Sequence, residues 1–207
     1  MKHEYLGPLE IALIQRVRQA FLDEASVIDE KKGFISALST NQLRNPELQQ
    51  SVARIIATEF SDIKIDKVFG IPISGINLAT ATAALLPGVK EVPTRKGVET
   101  PTSWKQVFTA EIKSFTTEVK SSIKYSFVYP RDKVLVIDDV CAFGETATEV
   151  IRSLIEEAEA DVVGFVVWWD KIFQGGLERV EKEFGIRVFS VVRVKEISKN
   201  GEIILLE

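Results

Sequence analysis

The stretch V-L-V-I-D-D-V-C-A-F-G-E-T-A-T, residues Val134 to Thr148, decides the fold. Val134, Leu135, Val136 and Ile137 form an unbroken apolar run, the pattern of a strand covered on both faces of a parallel sheet. The run is expected to stop at two adjacent carboxylates, Asp138 and Asp139. A short loop, Val140 to Glu145, follows with one glycine, Gly144. Val150, Ile151, Leu154 and Ile155 then recur at helical spacing. A strand, an acid pair, a tight loop and a helix bring unpaired backbone N–H groups to the positive end of a helix dipole, beside two carboxylates. The amides suit a phosphate. Ionised aspartates only accept hydrogen bonds and are hard oxygen ligands, so they suit sugar hydroxyls or a Mg²⁺-bound diphosphate. The competing reading is an ordinary strand end whose acids cap the next helix.

V-L-V-I-D-D-V-C-A-F-G-E-T resembles the phosphoribosyl-diphosphate (PRPP) signature of the type I phosphoribosyltransferases. It departs from the commonest form at Ala142 and Phe143, where hydroxyl residues are usual, and at Glu145, where a second glycine is usual. An anion at Glu145 has to point away from a bound phosphate. The resemblance implies an α/β fold with a parallel sheet, helices on both faces, a flexible hairpin lid and a small hood, all in one domain spanning residues 1–207. It assigns Asp138 and Asp139 to ribose hydroxyls and charge stabilisation. It assigns Ala142, Phe143, Gly144, Glu145 and Thr146 to the 5′-phosphate, chiefly through backbone N–H groups. Mg²⁺ is implied as cofactor, held mainly through PRPP with Asp138 and Asp139 nearby, and a homodimer as the assembly.

Two further loops fit the same sheet edge. Lys67 to Ile71 reads as the first parallel strand, and Pro72 to Ala79 as a glycine-containing turn into a helix. In the family such a loop holds diphosphate through backbone amides, with Ser74 and Gly75 letting the chain come close. Val89 to Pro93 reads as the next strand. Arg95 and Lys96 beyond it are placed to neutralise diphosphate, Arg as a bidentate clamp and Lys as a point charge. Glu99 to Tyr129 is rich in Thr, Ser and Lys and reads as a long two-stranded arm, mobile until substrate binds. Lids of this kind exclude water. Lys113-Ser114-Phe115-Thr116 resembles the lid motif of the xanthine branch, which makes Ser114 and Phe115 the residues that close over diphosphate; the plain alternative is an oligomerisation hairpin.

The base end is read from Val162 to Trp168, a strand, and the segment W-W-D-K-I-F-Q-G-G that ends it. Beyond a strand end, aromatic residues and both signs of charge suit a flat heterocycle. This segment also resembles the xanthine branch: Asp170 would accept from a ring N–H or amine, Lys171 would donate to a 6-oxo group, and Phe173 would stack. Trp168 reads as core. Asn41 falls where that branch reads the purine. Lys171 favours a 6-oxopurine, whereas Asp170 and nearby carbonyls suit the amine of adenine. Adenine is narrowly preferred, with xanthine, hypoxanthine or guanine as the alternative. The expected reaction joins a purine base to PRPP, giving the nucleoside 5′-monophosphate and diphosphate.

The flanks supply the hood, residues 1–60 and 195–207. Leu6 to Ala25 reads as an amphipathic helix with Leu9, Leu13, Val17 and either Ala20 or Phe21 on its apolar face. Asn45-Pro46 is a helix start, with Asn as cap and Pro at the first position. Gly185 to Val194 is the last strand of the sheet, and Ile197 to Leu206 returns as a turn and short strand.

Composition excludes other classes. The chain has 207 residues, 45% hydrophobic and 27% charged, enough for one α/β domain with a proper core. A net charge of −4 argues against a sequence-independent grip on nucleic acid. No apolar run approaches a bilayer span, and the N-terminus lacks a signal-peptide core. The lone Cys141 rules out an internal disulfide framework and fits a reducing cytoplasm. The lone His3 leaves no histidine dyad or zinc site. G-x-G-x-x-G after a strand and G-K-[ST] are both missing, against Rossmann and P-loop readings. A PRPP-sensing transcription regulator would add an N-terminal winged helix, for which the segment before Phe34 is too short and not basic.

Overall fold

The computed structural model describes residues 6–38, 45–97, 99–113 and 120–206. Helix α1 (Pro8–Glu24) leads into a hairpin of β1 (Ala25–Asp29) and β2 (Phe34–Ala37). Helix α2 (Pro46–Glu59), strand β3 (Lys67–Gly70) and helix α3 (Gly75–Ala83) follow, then β4 (Lys90–Val92) and β5 (Thr94–Lys96). Strands β6 (Phe108–Lys113), β7 (Lys120–Tyr125) and β8 (Lys133–Cys141) precede α4 (Glu145–Glu156). The chain ends with β9 (Asp161–Lys171), α5 (Gly176–Phe184), β10 (Arg187–Ile197) and β11 (Ile203–Leu205).

The central sheet has the order β11-β10-β9-β8-β3-β4. All neighbours are parallel except β11, which returns antiparallel along β10. The apolar run of β8 is explained by its two covered faces. Val134 and Val136 enter a core shared with α4 and α5, and Leu135 and Ile137 enter one shared with α1, α2 and α3. A strand covered on both sides has no polar face to alternate with.

Helix α2 begins as its cap residues dictate: the Asn45 side chain accepts from the N–H groups of Glu47 and Leu48 at 3.1 and 3.2 Å. The face of α1 departs from expectation at Leu9. Val17 and Phe21 are buried, whereas Leu9 is 52% exposed. The helix packs on α2 and β10 with Phe21 against Trp169, ring centroids 5.2 Å apart. Glu10 is turned inward to accept from Gly7 N–H and to pair with Arg54 at 3.2 Å, which rotates Leu9 outward. The β1–β2 hairpin has no counterpart in the sequence reading.

The stretch 99–129 holds the expected pair of strands but is not a free-standing arm. Strands β6 and β7 form an antiparallel hairpin that β5 joins, in the order β5-β7-β6. Its base is core: Ala110, Ile112, Ile123 and Tyr125 are buried. The Tyr125 hydroxyl meets Ser153 Oγ of α4 at 2.9 Å, and its ring packs against Phe69 and Phe108. A loosely patterned surface arm would not place an aromatic ring there.

Candidate active site

The C-terminal ends of β3, β8 and β9 open into a cleft of about 410 Å³. This is the edge at which parallel sheets gather loops and helix N-termini. Strand β8 does not stop at the acid pair but continues to Cys141. Hydrogen bonding to β9 carries it on, with Asp138 opposite Val167 and Val140 opposite Trp169. Both acids border the cleft, and Asp138 Oδ1 accepts the Asp139 N–H at 2.9 Å. The Asp138 carboxyl is pushed well above the usual carboxylate range, first by burial and then by the neighbouring Asp139 charge; Lys96 partly offsets this.

The loop after β8 is only Ala142 to Gly144, because α4 already begins at Glu145. Gly144 has φ of 79°, and a Cβ there would lie 2.7 Å from the Gly176 carbonyl oxygen. Gly176 in turn donates its N–H to the Ala142 carbonyl at 3.0 Å, so the loop is locked against the start of α5. Ala142, Phe143, Gly144, Glu145 and Thr146 all border the cleft. Glu145 is half-buried at the rim.

Across the cleft lies the loop from Ile71 to Ser74, with a cis peptide between Pro72 and Ile73. Ser74 borders the cleft and directly precedes α3, without a capping side-chain bond. Gly75 sits behind it, where a Cβ would meet the Ile137 carbonyl oxygen at 2.7 Å, so α3 can approach β8 only without a side chain. Arg95 and Lys96 are neighbours on β5 and so point to opposite sides. Lys96 borders the cleft; Arg95 lines a separate depression with Pro93 and Trp104.

The base end is rearranged in the same way. Strand β9 runs to Lys171, so Asp170 and Lys171 lie within it rather than beyond it, and they diverge. Lys171, 7% exposed, borders the cleft and donates to the Gly33 carbonyl at 2.8 Å. Its Nζ lies 5.6 Å from the Trp169 ring centroid and 5.9 Å from that of Phe34, and burial lowers its pKa. Asp170, 3% exposed, turns away to Arg193, with Oδ2 3.9 Å from Nε. Burial lifts its carboxyl to about 6 against the pull of Arg193. Asp170 and Lys171 are thus not brought together. Phe173 packs under Gly33 and does not border the cleft, whereas Phe34 does. Trp168 and Trp169 are both buried. Asn41, Ser114 and Phe115 lie outside the described residues.

Gln174 of the base segment borders the cleft as well, and several other lining residues escaped the sequence reading: Phe34, Ile112, Ser121 and Phe165. An aromatic residue opening the short segment at Phe34 was the only available signal; the others arrive through tertiary packing. The Cys141 thiol is buried, and its pKa is pushed up by that burial and by Asp170 and Asp138. Among the described residues no three His, Cys, Asp or Glu side chains group as a metal site, and no helix is long and apolar enough to cross a membrane.

The sequence matches a model of the phosphoribosyl transferase domain over residues 39–195. It is 32% identical over 195 residues to a xanthine phosphoribosyltransferase of Streptococcus equi subsp. zooepidemicus, covering 92% of this chain and 97% of the relative. A xanthine phosphoribosyltransferase of Leuconostoc mesenteroides is 37% identical over 168 residues, covering 80% and 86% of the two chains. The fold is that of the adenine phosphoribosyltransferase of Rhodothermus marinus, with a TM-score of 0.70 at 24% identity over 89% of this chain and 99% of that one. The chain, with its acid pair and amide loop at the carboxyl end of a parallel sheet, belongs to the phosphoribosyltransferase family.

Proposed function

We propose that this protein transfers the 5-phosphoribosyl group of PRPP to a purine base in purine salvage, and that adenine is the base. The observation that carries the reaction is one cleft that sets Asp138 and Asp139 between the amide-lined start of α4 and the Ser74–Lys96 side. The 5′-phosphate would rest on the N–H groups of Ala142 to Thr146, at the positive end of α4. Ribose hydroxyls would donate to the two aspartates. Ser74, the backbone at Gly75, and Lys96 would hold diphosphate, with Arg95 standing outside this cleft.

As the bond from ribose to diphosphate breaks, positive charge builds on the ribose ring and negative charge on the leaving oxygens. The aspartates stabilise the first, and Lys96 and the loop amides the second; a purine nitrogen then attacks from the Phe34–Lys171 end. No covalent nucleophile is needed, so rate comes from positioning and fixed charge. The residues present fit Mg²⁺. Two crowded hard-oxygen carboxylates, one resisting ionisation, gain from a cation, and with only two of them the ion would be held largely through the substrate's diphosphate. When bound it would neutralise the leaving group.

Adenine is supported by the use already made of Lys171. One of its protons is committed to the Gly33 carbonyl, so the donor that would select a 6-oxo group serves the fold instead. The 6-oxopurine reading draws on the two protons that remain and on the xanthine phosphoribosyltransferases among the relatives. Diphosphate release from PRPP and Mg²⁺ with adenine, hypoxanthine, guanine and xanthine in parallel decides. Release with adenine supports the proposal, and release only with a 6-oxopurine replaces adenine. A protein that binds PRPP yet releases diphosphate with no base would be a PRPP sensor rather than an enzyme.

A further inference from the structure

Among the described residues, the hairpin of β1 and β2 forms a two-stranded sheet of its own. Of residues 25–38, only Gly33 and Ala37 are buried. Ala37 anchors its base. Its turn is held by residues nearly 140 positions away. Lys171 Nζ donates to the Gly33 carbonyl at 2.8 Å, and Gln174 Nε2 reaches the Lys32 carbonyl at 3.3 Å. The Phe173 ring lies so close beneath Gly33 that a Cβ there would sit 2.8 Å from it, and Gly33 has φ of 65°. The same ammonium lies near the faces of Phe34 and Trp169, and Phe34 is the hairpin residue that borders the cleft.

From this geometry we infer that Lys171 is a positioning residue: it clasps the turn of the β1–β2 hairpin and so seats Phe34 as the wall of the base end of the cleft. The chemistry favours a clasp. A buried ammonium needs compensation, and the adjacent carboxylate, Asp170, is turned to Arg193. Among the described residues, what remains is one carbonyl and two aromatic faces, and both the carbonyl and one of the faces belong to the hairpin. The carbonyl and the Phe34 face reach the ammonium while the hairpin is seated. Base binding then acts on a wall that one buried side chain holds in place.

The inference rests on the purine reaction proposed above, but half of its test needs no turnover. Amide hydrogen exchange is followed over residues 25–37 in ligand-free wild type, Lys171→Met, Gly33→Ala and Gln174→Ala. In parallel, KM is measured separately for the base and for PRPP. Release of the clasp predicts faster exchange across the hairpin in Lys171→Met and in Gly33→Ala. It also predicts a base KM raised about tenfold or more, with PRPP KM within about twofold. Gln174→Ala, a peripheral contact, should shift both readings in the same direction by less. A raised base KM in Lys171→Met with hairpin exchange unchanged would overturn the inference and make Lys171 a direct reader of the base. Faster exchange with base KM unchanged would overturn it equally, by separating the hairpin from the base. Should Lys171→Met not fold, Gly33→Ala and Gln174→Ala decide by the same two readings. A protein inactive with every base would sink the assigned reaction, and exchange would still report whether the clasp exists.

Discussion

Asp138 and Asp139 show how a single residue's ionisation is set by its neighbours. With one carboxyl held well above its usual range by burial and by the other, the pair costs stability once the pH passes the unfolded-state pKa. The Asp138→Asn, Asp139→Asn double variant is therefore expected to lose at least about 10³-fold in kcat, while its melting temperature at pH 7 stays level or rises. Near-normal turnover in the folded variant would remove the pair from the mechanism. Asp170 allows a quantitative check. Its folded carboxyl lies at about 6 against an ordinary 3.8, so the unfolded chain gives up this proton first as pH rises. Stability from this site is full below about 4 and is lost by about 6, a change on the order of 3 kcal/mol. Thermal melts of wild type and Asp170→Asn should diverge across that window, with the variant gaining on wild type toward pH 7; parallel curves would contradict the assignment. The acids were legible in sequence because they interrupt an apolar run. That Asp170 and Lys171 part company was not, because it depends on β9 running three residues further than Trp168.

At the scale of the element, the phosphate loop depends on one interlock. Gly144 combines a positive φ with an approach to the Gly176 carbonyl that leaves no room for a side chain. Gly88 has nearly the same φ, 77°, with open space around it. Gly88→Ala thus measures the backbone cost alone, about 1–2 kcal/mol, whereas Gly144→Ala adds a collision that must push α5 from the loop. We expect Gly144→Ala to melt well below Gly88→Ala and to raise KM for PRPP at least tenfold, with Gly88→Ala unchanged in KM. Equal melting temperatures for the two would show that the interlock is not needed. The strand–loop–helix order around Gly144 was readable from apolar periodicity. The partner was not: Gly176 lies some thirty residues on, and no local pattern marks two glycines as neighbours in space. The β1–β2 hairpin was hidden for a related reason. Its strands are only five and four residues long and mostly half-buried, with Ala37 alone fully covered, so no apolar run or sustained apolar alternation marks them in the sequence.

At the scale of the whole molecule, the sheet order brings five loops to one edge and divides the helices between two faces. The sequence by itself determined the α/β class, the strands β3, β8, β9 and β10, the capped start of α2 and the chemistry of the acid pair. Each of these is a local regularity: an apolar run, a helical period, a cap, or charges at a strand end. Tertiary structure alone decided which of two adjacent charged residues faces the cleft, at Arg95 and Lys96 and again at Asp170 and Lys171. Neighbouring strand residues point to opposite sides, and which side is which depends on the register with the next strand and on where the strand ends. It also brought Phe34 to the cleft and Lys171 to Gly33 across 138 positions. Such contacts arise from the packing of the whole chain, and neither end of them carries a local mark of the other.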